Sequence, residues 1–201
     1  MGRVPHPANI AVSWGKKLGQ NIRASFHCGA ESASSNTRIL RTTQDWIAQP
    51  RNQDVLVVVQ WSTWEREEWL HNGVYYQVNA SGVDDVPEEL QQRYKEFVAG
   101  VDWQQCTQNW HNQIWEFHQE LKAQGIPHVF FNGNTSFEKI SDRQDWGTSY
   151  IDPYSNAGTY TSVLQRNGHQ TVAPDSWHFG KEAHSFWANY VLQYIVRNQI
   201  I

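Results

Sequence analysis

The chain has 201 residues, which suits one α/β domain and is short for two. Its net charge of −4 and the lack of any basic block argue against nucleic acid or an anionic membrane as a partner. No apolar run is long enough to span a bilayer, and no secretory leader is visible. The two cysteines, Cys28 and Cys106, form no CxxC pair, so a metal site built on cysteine is not expected. We therefore expect a reduced cytoplasmic protein with no cofactor.

The first predicted elements are short. Residues 13–20, "SWGKKLGQ", predict a helix capped by Ser13, and the "IRASFHCG" after it should be extended. Ser34 or Ser35 can cap the next helix. Asn36 is expected to cap that helix, and contact with a substrate is the other interpretation of this residue.

A buried strand is predicted next. Val55 to Val59 are five consecutive apolar residues, which is typical of a central parallel strand with helices on both faces. The polar "WSTWEREEW", residues 61–69, follows at the carboxyl end of that strand, where open α/β sheets bind ligands. Charge runs such as Glu65 to Glu68 usually form a solvated face, but Arg66 is a candidate for the site.

The rest of the chain alternates between helices and a strand. Apolar spacing and end signals predict helices over 87–100 and 102–124, a strand in "HVFFNGN", a long loop over 141–175 with a short helix near 160–164, and a terminal helix from Gly180. This order predicts a single domain over residues 1–201, a three-layer α/β sandwich with a mainly parallel sheet. His111 and His118 lie seven residues apart on one helix, so packing or solvated positions are favoured over a metal site.

Tryptophan is unusually frequent, with eleven residues. The favoured interpretation is that these large rings fill the core and the seams between helices and sheet. The other interpretation is an aromatic groove for sugars or other flat ligands.

A carboxylate and an imidazole stand just before the terminal helix, in "PDSWHFGKEAH". Asp175 and His178 are three residues apart, so both side chains can face one pocket from the same loop. The imidazole could then donate one N–H to the carboxylate and keep its other nitrogen as a base. The alternative interpretation is structural: Asp175 caps the helix and His178 is a packed surface histidine.

Several stretches together resemble the SGNH (GDSL-like) hydrolase family. They are the Asp-x-x-His before the last helix, "HCGAESASSNTRILRTTQDWI", "QWSTWEREEW" and "HFGKEAHSFWA", and they are most similar to SGNH-like proteins of tailed phages, notably cyanophages. The resemblance implies a flavodoxin-like three-layer fold and a serine hydrolase triad. In it His178 would be the base, Asp175 would orient the imidazole, and the Gly29 N–H would help form the oxyanion hole.

Two features depart from the family pattern. The family has an Asn after the buried strand as an oxyanion donor, and here Ser62, Thr63 or Arg66 would have to donate instead. The family also begins with a strand that runs into Gly-Asp-Ser, whose serine is the nucleophile, and "MGRVPHPANI" contains neither. Either Ser13 is a displaced nucleophile after a minimal strand over 10–12, or the chain starts after this block and Ser13 is only a cap; the second is favoured.

The sequence leaves two functions open. One is an SGNH-like esterase for a small acyl ester, with an O-acylated carbohydrate as one substrate class, whose degenerate or truncated machinery should give weak or absent activity. The other is a non-catalytic SGNH-like binding protein, associated with a phage virion or a host protein in the host cytoplasm.

Overall fold

The computed structural model describes residues 7–50, 54–80, 86–174 and 176–201, so Asp175 lies outside the described residues. Within them the fold is mixed α/β. The helices are α1 (Pro7–Val12), α2 (Trp14–Asn21), α3 (Asn36–Ile47), α4 (Gln91–Gly100), α5 (Trp103–Ala123), α6 (Tyr160–Arg166) and α7 (Lys181–Arg197). The strands are β1 (Val57–Trp61), β2 (Glu67–His71), β3 (Val74–Val78), β4 (His128–Asn132) and β5 (Tyr150–Ile151).

Three strands form a parallel sheet in the order β1-β4-β5. The prediction of a parallel strand is confirmed, since Val57 pairs with His128 and Trp61 with Asn132. The predicted bounds and position are wrong. The strand covers 57–61 rather than 55–59, and it lies at an edge of the described sheet while β4 lies in the middle. A continuous apolar run reports burial on both faces, and it does not report the place of a strand in the sheet.

Alternate side chains of β1 enter two different hydrophobic clusters. Val57, Val59 and Trp61 pack with residues of α3 and α5. Leu56 and Val58 belong to the cluster that contains residues of α2, α6 and α7. The strand is therefore apolar at four of its five positions, all except Gln60, because its two sides meet different sets of helices.

A β-hairpin follows β1 and was only partly anticipated. Strands β2 and β3 pair antiparallel across Asn72 and Gly73, whose φ angles are 48° and 75°. Positive φ at both central residues is the type I′ turn, which Asn-Gly favours because its twist matches that of the two strands. The hairpin places Glu67, Glu68 and Trp69 close to the carboxyl end of β1.

The predicted cap Ser13 is confirmed, and of the alternatives Ser34 and Ser35 the cap is Ser35. Ser13, Ser35 and Asp102 are the N-caps of α2, α3 and α5, and each side chain accepts a backbone N–H of the first turn. The expectation that Asn36 caps its helix is wrong, because Ser35 does so. The proposed minimal strand over 10–12 is also wrong, because α1 covers those residues. Among the described residues no helix is both long and apolar enough to cross a membrane.

Two buried histidines join α5 to the sheet. His118 is 3% exposed and its Nδ1 lies 2.8 Å from Nε2 of His128. Nδ1 of His128 lies 2.9 Å from the carbonyl oxygen of Ile126, which can only accept, so that nitrogen carries the proton. His118 is therefore the donor between the two rings. Burial, with His128 as a smaller cause, lowers the pKa of His118 to about 4.

This histidine pair predicts a loss of stability in mild acid. The pKa of His118 falls from 6.5 to about 4 on folding, so the unfolded chain binds more protons between these values. The contribution of the neutral His118 to the free energy of unfolding is fully present above pH 6.5. It decreases by about 2–3 kcal/mol as the pH falls toward 4. Urea unfolding of the wild type and of His118→Gln, whose amide can still donate but does not titrate, should show a smaller decrease in the variant. Equal decreases would contradict the prediction.

Candidate functional site

A pocket of about 260 Å³ lies at the carboxyl ends of β1 and β4, and we call it the strand-end pocket. Neighbouring parallel strands end side by side, and such an edge is the usual ligand site of α/β sheets. The lining residues are Gln60, Trp61, Ser62, Arg66, Gly133, Asn134, Tyr160, Trp177, His178, Phe179 and His184. They come from the ends of two strands, from the segment after β1, from α6, and from the first turns of α7 with the segment that leads into it.

Asn36 holds the loop that carries Ser62. The Asn36 side chain is fully buried, its Oδ1 accepts the N–H of Ser62 at 2.7 Å, and its Nδ2 donates to the carbonyls of Ser62 at 3.2 Å and Thr63 at 3.4 Å. These bonds use both ends of the amide on backbone groups. Asn36 therefore positions the loop after β1, and it is not a lining residue of the strand-end pocket.

The pocket unites some of the predicted site residues and leaves others outside. Ser62, Arg66 and His178 line it together, as expected for the strand end and the segment before the last helix. Gly29 is exposed, does not line the pocket, and uses its carbonyl to accept from Arg38 at 3.1 Å. Thr63 donates to Glu65 at 3.1 Å. Gly29 and Thr63 are therefore not placed in this pocket.

Ser13 lies in a different local environment. Its hydroxyl donates to the carbonyl of Ile10 at 2.7 Å and accepts the N–H of Lys16 at 3.3 Å, which is the geometry of a helix cap. Ser13 does not line the strand-end pocket. The structure agrees with the favoured interpretation of Ser13 as a cap, and the serine that lines the same pocket as His178 is Ser62.

Sequence reasoning did not assign His184 to the site. It lies in the first turns of α7, and its Nδ1 is buried without a hydrogen-bond partner among the described residues. Burial lowers the pKa of His184, and nearby Lys17 and His178 lower it further. The signal was present in "HFGKEAH", where a second histidine follows His178 at the start of the terminal helix.

The end of β4 supplies a close strand contact and a side-chain amide. Gly133 donates its N–H to the carbonyl of Trp61 at 2.9 Å, and a Cβ at this position would lie only 3.0 Å from that oxygen. Glycine thus allows the two strand ends to approach. The next residue, Asn134, accepts the Thr161 hydroxyl through Oδ1, and no bond to its Nδ2 is recorded among the described residues. That N–H group remains a donor for a ligand.

The described lining of the strand-end pocket contains one arginine, two histidines and no carboxylate. Arg66 is half-buried, and its Nε has no partner among the described residues. Burial lowers the pKa of Arg66, while Glu65 beside it opposes this change. The guanidinium of Arg66 therefore makes the pocket suited to negative charge on a ligand or a reaction intermediate. No cluster of three or more metal-ligating side chains occurs in the described ranges.

Comparisons with protein-family models, curated proteins and solved structures found no match to this chain.

Proposed function

We propose that this chain is an SGNH-like ester hydrolase domain that acts weakly on small acyl esters through the strand-end pocket. The observation that carries the proposal is that Ser62 and His178, far apart in sequence, line one pocket at the carboxyl ends of two parallel strands. The parallel order β1-β4-β5 and the two hydrophobic clusters that share alternate residues of β1 support a three-layer, flavodoxin-like arrangement.

The proposed reaction uses Ser62 as nucleophile and His178 as base. The Ser62 oxygen attacks the acyl carbon while His178 takes its proton, and His178 then gives that proton to the departing alcohol. A water molecule attacks the acyl-serine in the same way and releases the acid. Asp175 keeps its proposed role of orienting His178, which follows from the family resemblance.

Charge on the tetrahedral intermediate requires donors in the pocket. The Nδ2 group of Asn134 and the guanidinium of Arg66 are the groups that can supply them. Asn134 would then replace the Asn that the family places after the strand equivalent to β1, since β1 and β4 end side by side. His178 is exposed to solvent, and a solvated base with loosely held geometry is the reason to expect slow turnover.

An O-acylated carbohydrate is the substrate class that we favour. Trp177 lines the strand-end pocket and is 72% exposed, whereas the tryptophans of the core are almost completely buried. An exposed indole beside polar groups offers an apolar face to the carbon atoms of a sugar ring while the polar groups meet its hydroxyls.

Hydrolysis of p-nitrophenyl acetate tests the proposal. His178→Ala and Ser62→Ala should each lower kcat/KM by about 100-fold or more, because each removes a group that the reaction cannot replace. Ser13→Ala is the matched control, since it removes a serine hydroxyl outside the pocket, and it should keep the wild-type value once folding is confirmed by circular dichroism. Loss of activity in Ser13→Ala, retention in the other two, or no wild-type hydrolysis would overturn the proposal.

The second candidate is an SGNH-like binding protein without turnover, associated with a phage virion or a host protein. The unpartnered, buried nitrogens of Arg66 and His184 favour it, because a bound anionic group would satisfy both without any reaction. A wild-type chain that neither hydrolyses the ester nor is labelled at Ser62 by a fluorophosphonate would support this candidate.

A further inference from the structure

A second pocket of about 280 Å³ lies beside the strand-end pocket, and we call it the hairpin pocket. Its residues come from the loop after β1, from the start of β2, from α3, from Arg93 of α4 and from one face of α5. The lining residues are Thr37, Trp64, Glu65, Arg66, Glu67, Glu68, Trp69, Arg93, Cys106, Asn109, Trp110 and Gln113. Arg66 is the residue that lines both pockets.

Glu65 is a buried carboxylate with an unused oxygen. The residue is 2% exposed, its Oε1 accepts the Thr63 hydroxyl at 3.1 Å, and its Oε2 is buried without a partner among the described residues. An unmet carboxylate oxygen away from water costs free energy that a donor from a ligand would recover. Because Glu65 lines the hairpin pocket, a ligand bound in that pocket can supply the missing hydrogen-bond donor.

Unused donors accompany this acceptor. Nε1 of Trp64 and Nε of Arg66 are also buried without partners among the described residues. At the pocket rim, α5 presents the exposed amides of Asn109 and Gln113. Oδ1 of Asn109 already accepts from Gln105 at 2.7 Å, which leaves its N–H group for a ligand. A ligand here must therefore both donate and accept hydrogen bonds.

The charges of the hairpin pocket are largely compensated. The carboxylate of Glu68 is already bonded to Arg41, whose two nitrogens donate to it at 3.0 and 2.9 Å, and to Gln77, which donates at 2.8 Å. Glu67 accepts the indole N–H of Trp69. Glu65 and Glu67 then face Arg66 and Arg93, so the pocket has no excess of either sign to favour a charged ligand.

Arg93 lies over the ring of Trp69, with its guanidinium carbon 4.0 Å from the ring centroid. This contact fixes the guanidinium against an aromatic wall that also includes Trp64 and Trp110. The pocket thus combines fixed donors, one unmet carboxylate oxygen and apolar ring edges. Neutral sugars match this set because their hydroxyls donate and accept while their ring carbons are apolar.

We propose that the hairpin pocket is a separate binding site for a neutral monosaccharide unit, with Glu65 accepting one of its hydroxyls. The site does not depend on ester hydrolysis, since it holds neither Ser62 nor His178. It also differs from the sugar contact proposed at Trp177, which lines the strand-end pocket and not the hairpin pocket. A carbohydrate that occupied both pockets would pass Arg66.

Isothermal titration with D-glucose, D-galactose, D-mannose and D-xylose tests the site, with D-glucuronate and D-glucosamine as charged counterparts. We expect saturable binding of at least one neutral sugar to the wild type and to His178→Ala. Binding should weaken about ten-fold or more in Glu65→Gln, which loses the charged acceptor of the hydroxyl. Glu116→Gln makes the same charge change at an exposed position of α5 outside the pocket, and it should bind as the wild type does.

Three results would overturn this proposal. They are no binding of any neutral sugar to the wild type, equal binding by Glu65→Gln and Glu116→Gln, and binding of a charged sugar alone. Loss of sugar binding in His178→Ala would place the sugar in the strand-end pocket and would likewise overturn it. Thermal unfolding of each variant separates a lost ligand from a lost fold.

Discussion

Replacing Asn36 with alanine should lower the free energy of unfolding by about 2–4 kcal/mol. The change leaves the N–H and the carbonyl of Ser62 without their partner, at a residue that is itself fully buried. Each buried polar group that loses its partner costs about 1–3 kcal/mol. Because the same bonds hold the loop after β1, we also expect ester hydrolysis through Ser62 to decrease together with stability.

Urea unfolding of matched variants measures this effect. Asn112→Ala is the control, since Asn112 is exposed on α5 and accepts only a surface bond from Gln108 at 3.1 Å. It should change stability by less than about 0.5 kcal/mol. Asn36→Asp keeps an acceptor for the Ser62 N–H but places a buried carboxylate against the carbonyl oxygens of Ser62 and Thr63, so it should be at least as destabilising as alanine. Equal stability of Asn36→Ala and Asn112→Ala would show that Asn36 does not hold the loop.

Replacing Trp187 with alanine should cost about 3–5 kcal/mol, the range for a large aromatic side chain removed from a core. Trp187 is completely buried on α7. Its ring centroid lies 4.9 Å from that of Phe131, 5.1 Å from that of Tyr160 and 4.9 Å from that of Tyr190. Its indole nitrogen has no partner among the described residues, so the loss is one of packing rather than of a hydrogen bond.

The control for this substitution is Trp103→Ala. Trp103 is 51% exposed at the start of α5, so its removal should change stability by less than about 0.5 kcal/mol. Trp187→Phe keeps most of the ring volume and should fall between the two, which provides a measurable variant if the alanine form does not fold. A loss in Trp103→Ala as large as in Trp187→Ala would contradict the division of the tryptophans into packing and surface residues.

That division agrees with the favoured interpretation of the tryptophan content. Six of the eleven tryptophans are buried, at positions 61, 64, 69, 110, 146 and 187, and Trp103 and Trp177 are exposed. Their helical and strand positions predicted packing because apolar periodicity is a local signal. The periodicity could not show that Trp177 lies at the rim of a pocket, since its partners come from distant parts of the chain.

Turn chemistry was a signal that the sequence contained and that our prediction did not use. "EEWLHNGVYYQV" has Asn-Gly between two alternating stretches, which is the strongest short-range indication of a hairpin. The structure forms β2 and β3 on either side of Asn72 and Gly73. The two-residue strand β5, in contrast, lies within the predicted loop over 141–175, and its Tyr150 and Ile151 form a strand because they pair with β4.

The candidate site was predicted only in part, for a physical reason. Ser62 and His178 could be predicted as site residues because Ser62 directly follows β1 and His178 lies just before α7, and local patterns indicate both elements. Asn36 was assigned a cap, since capping is local, whereas its actual bonds reach across to the loop after β1. No local sequence pattern distinguishes Asn134 or His184 as a site residue. They line the strand-end pocket because the packing of β4 and α7 places them there.

By itself, the sequence determined the features that depend on neighbours along the chain: the main helices, the cap Ser13, and the apolar stretches of β1 and β4. Backbone hydrogen bonds and side-chain periodicity act over a few residues, so these features are readable without a fold. Only the tertiary structure decided that β4 lies in the middle of the sheet, that Ser62 rather than Ser13 lines a pocket with His178, and that Arg66 lines two pockets. Those outcomes depend on contacts between distant segments, whose free energies arise only when the whole chain packs together.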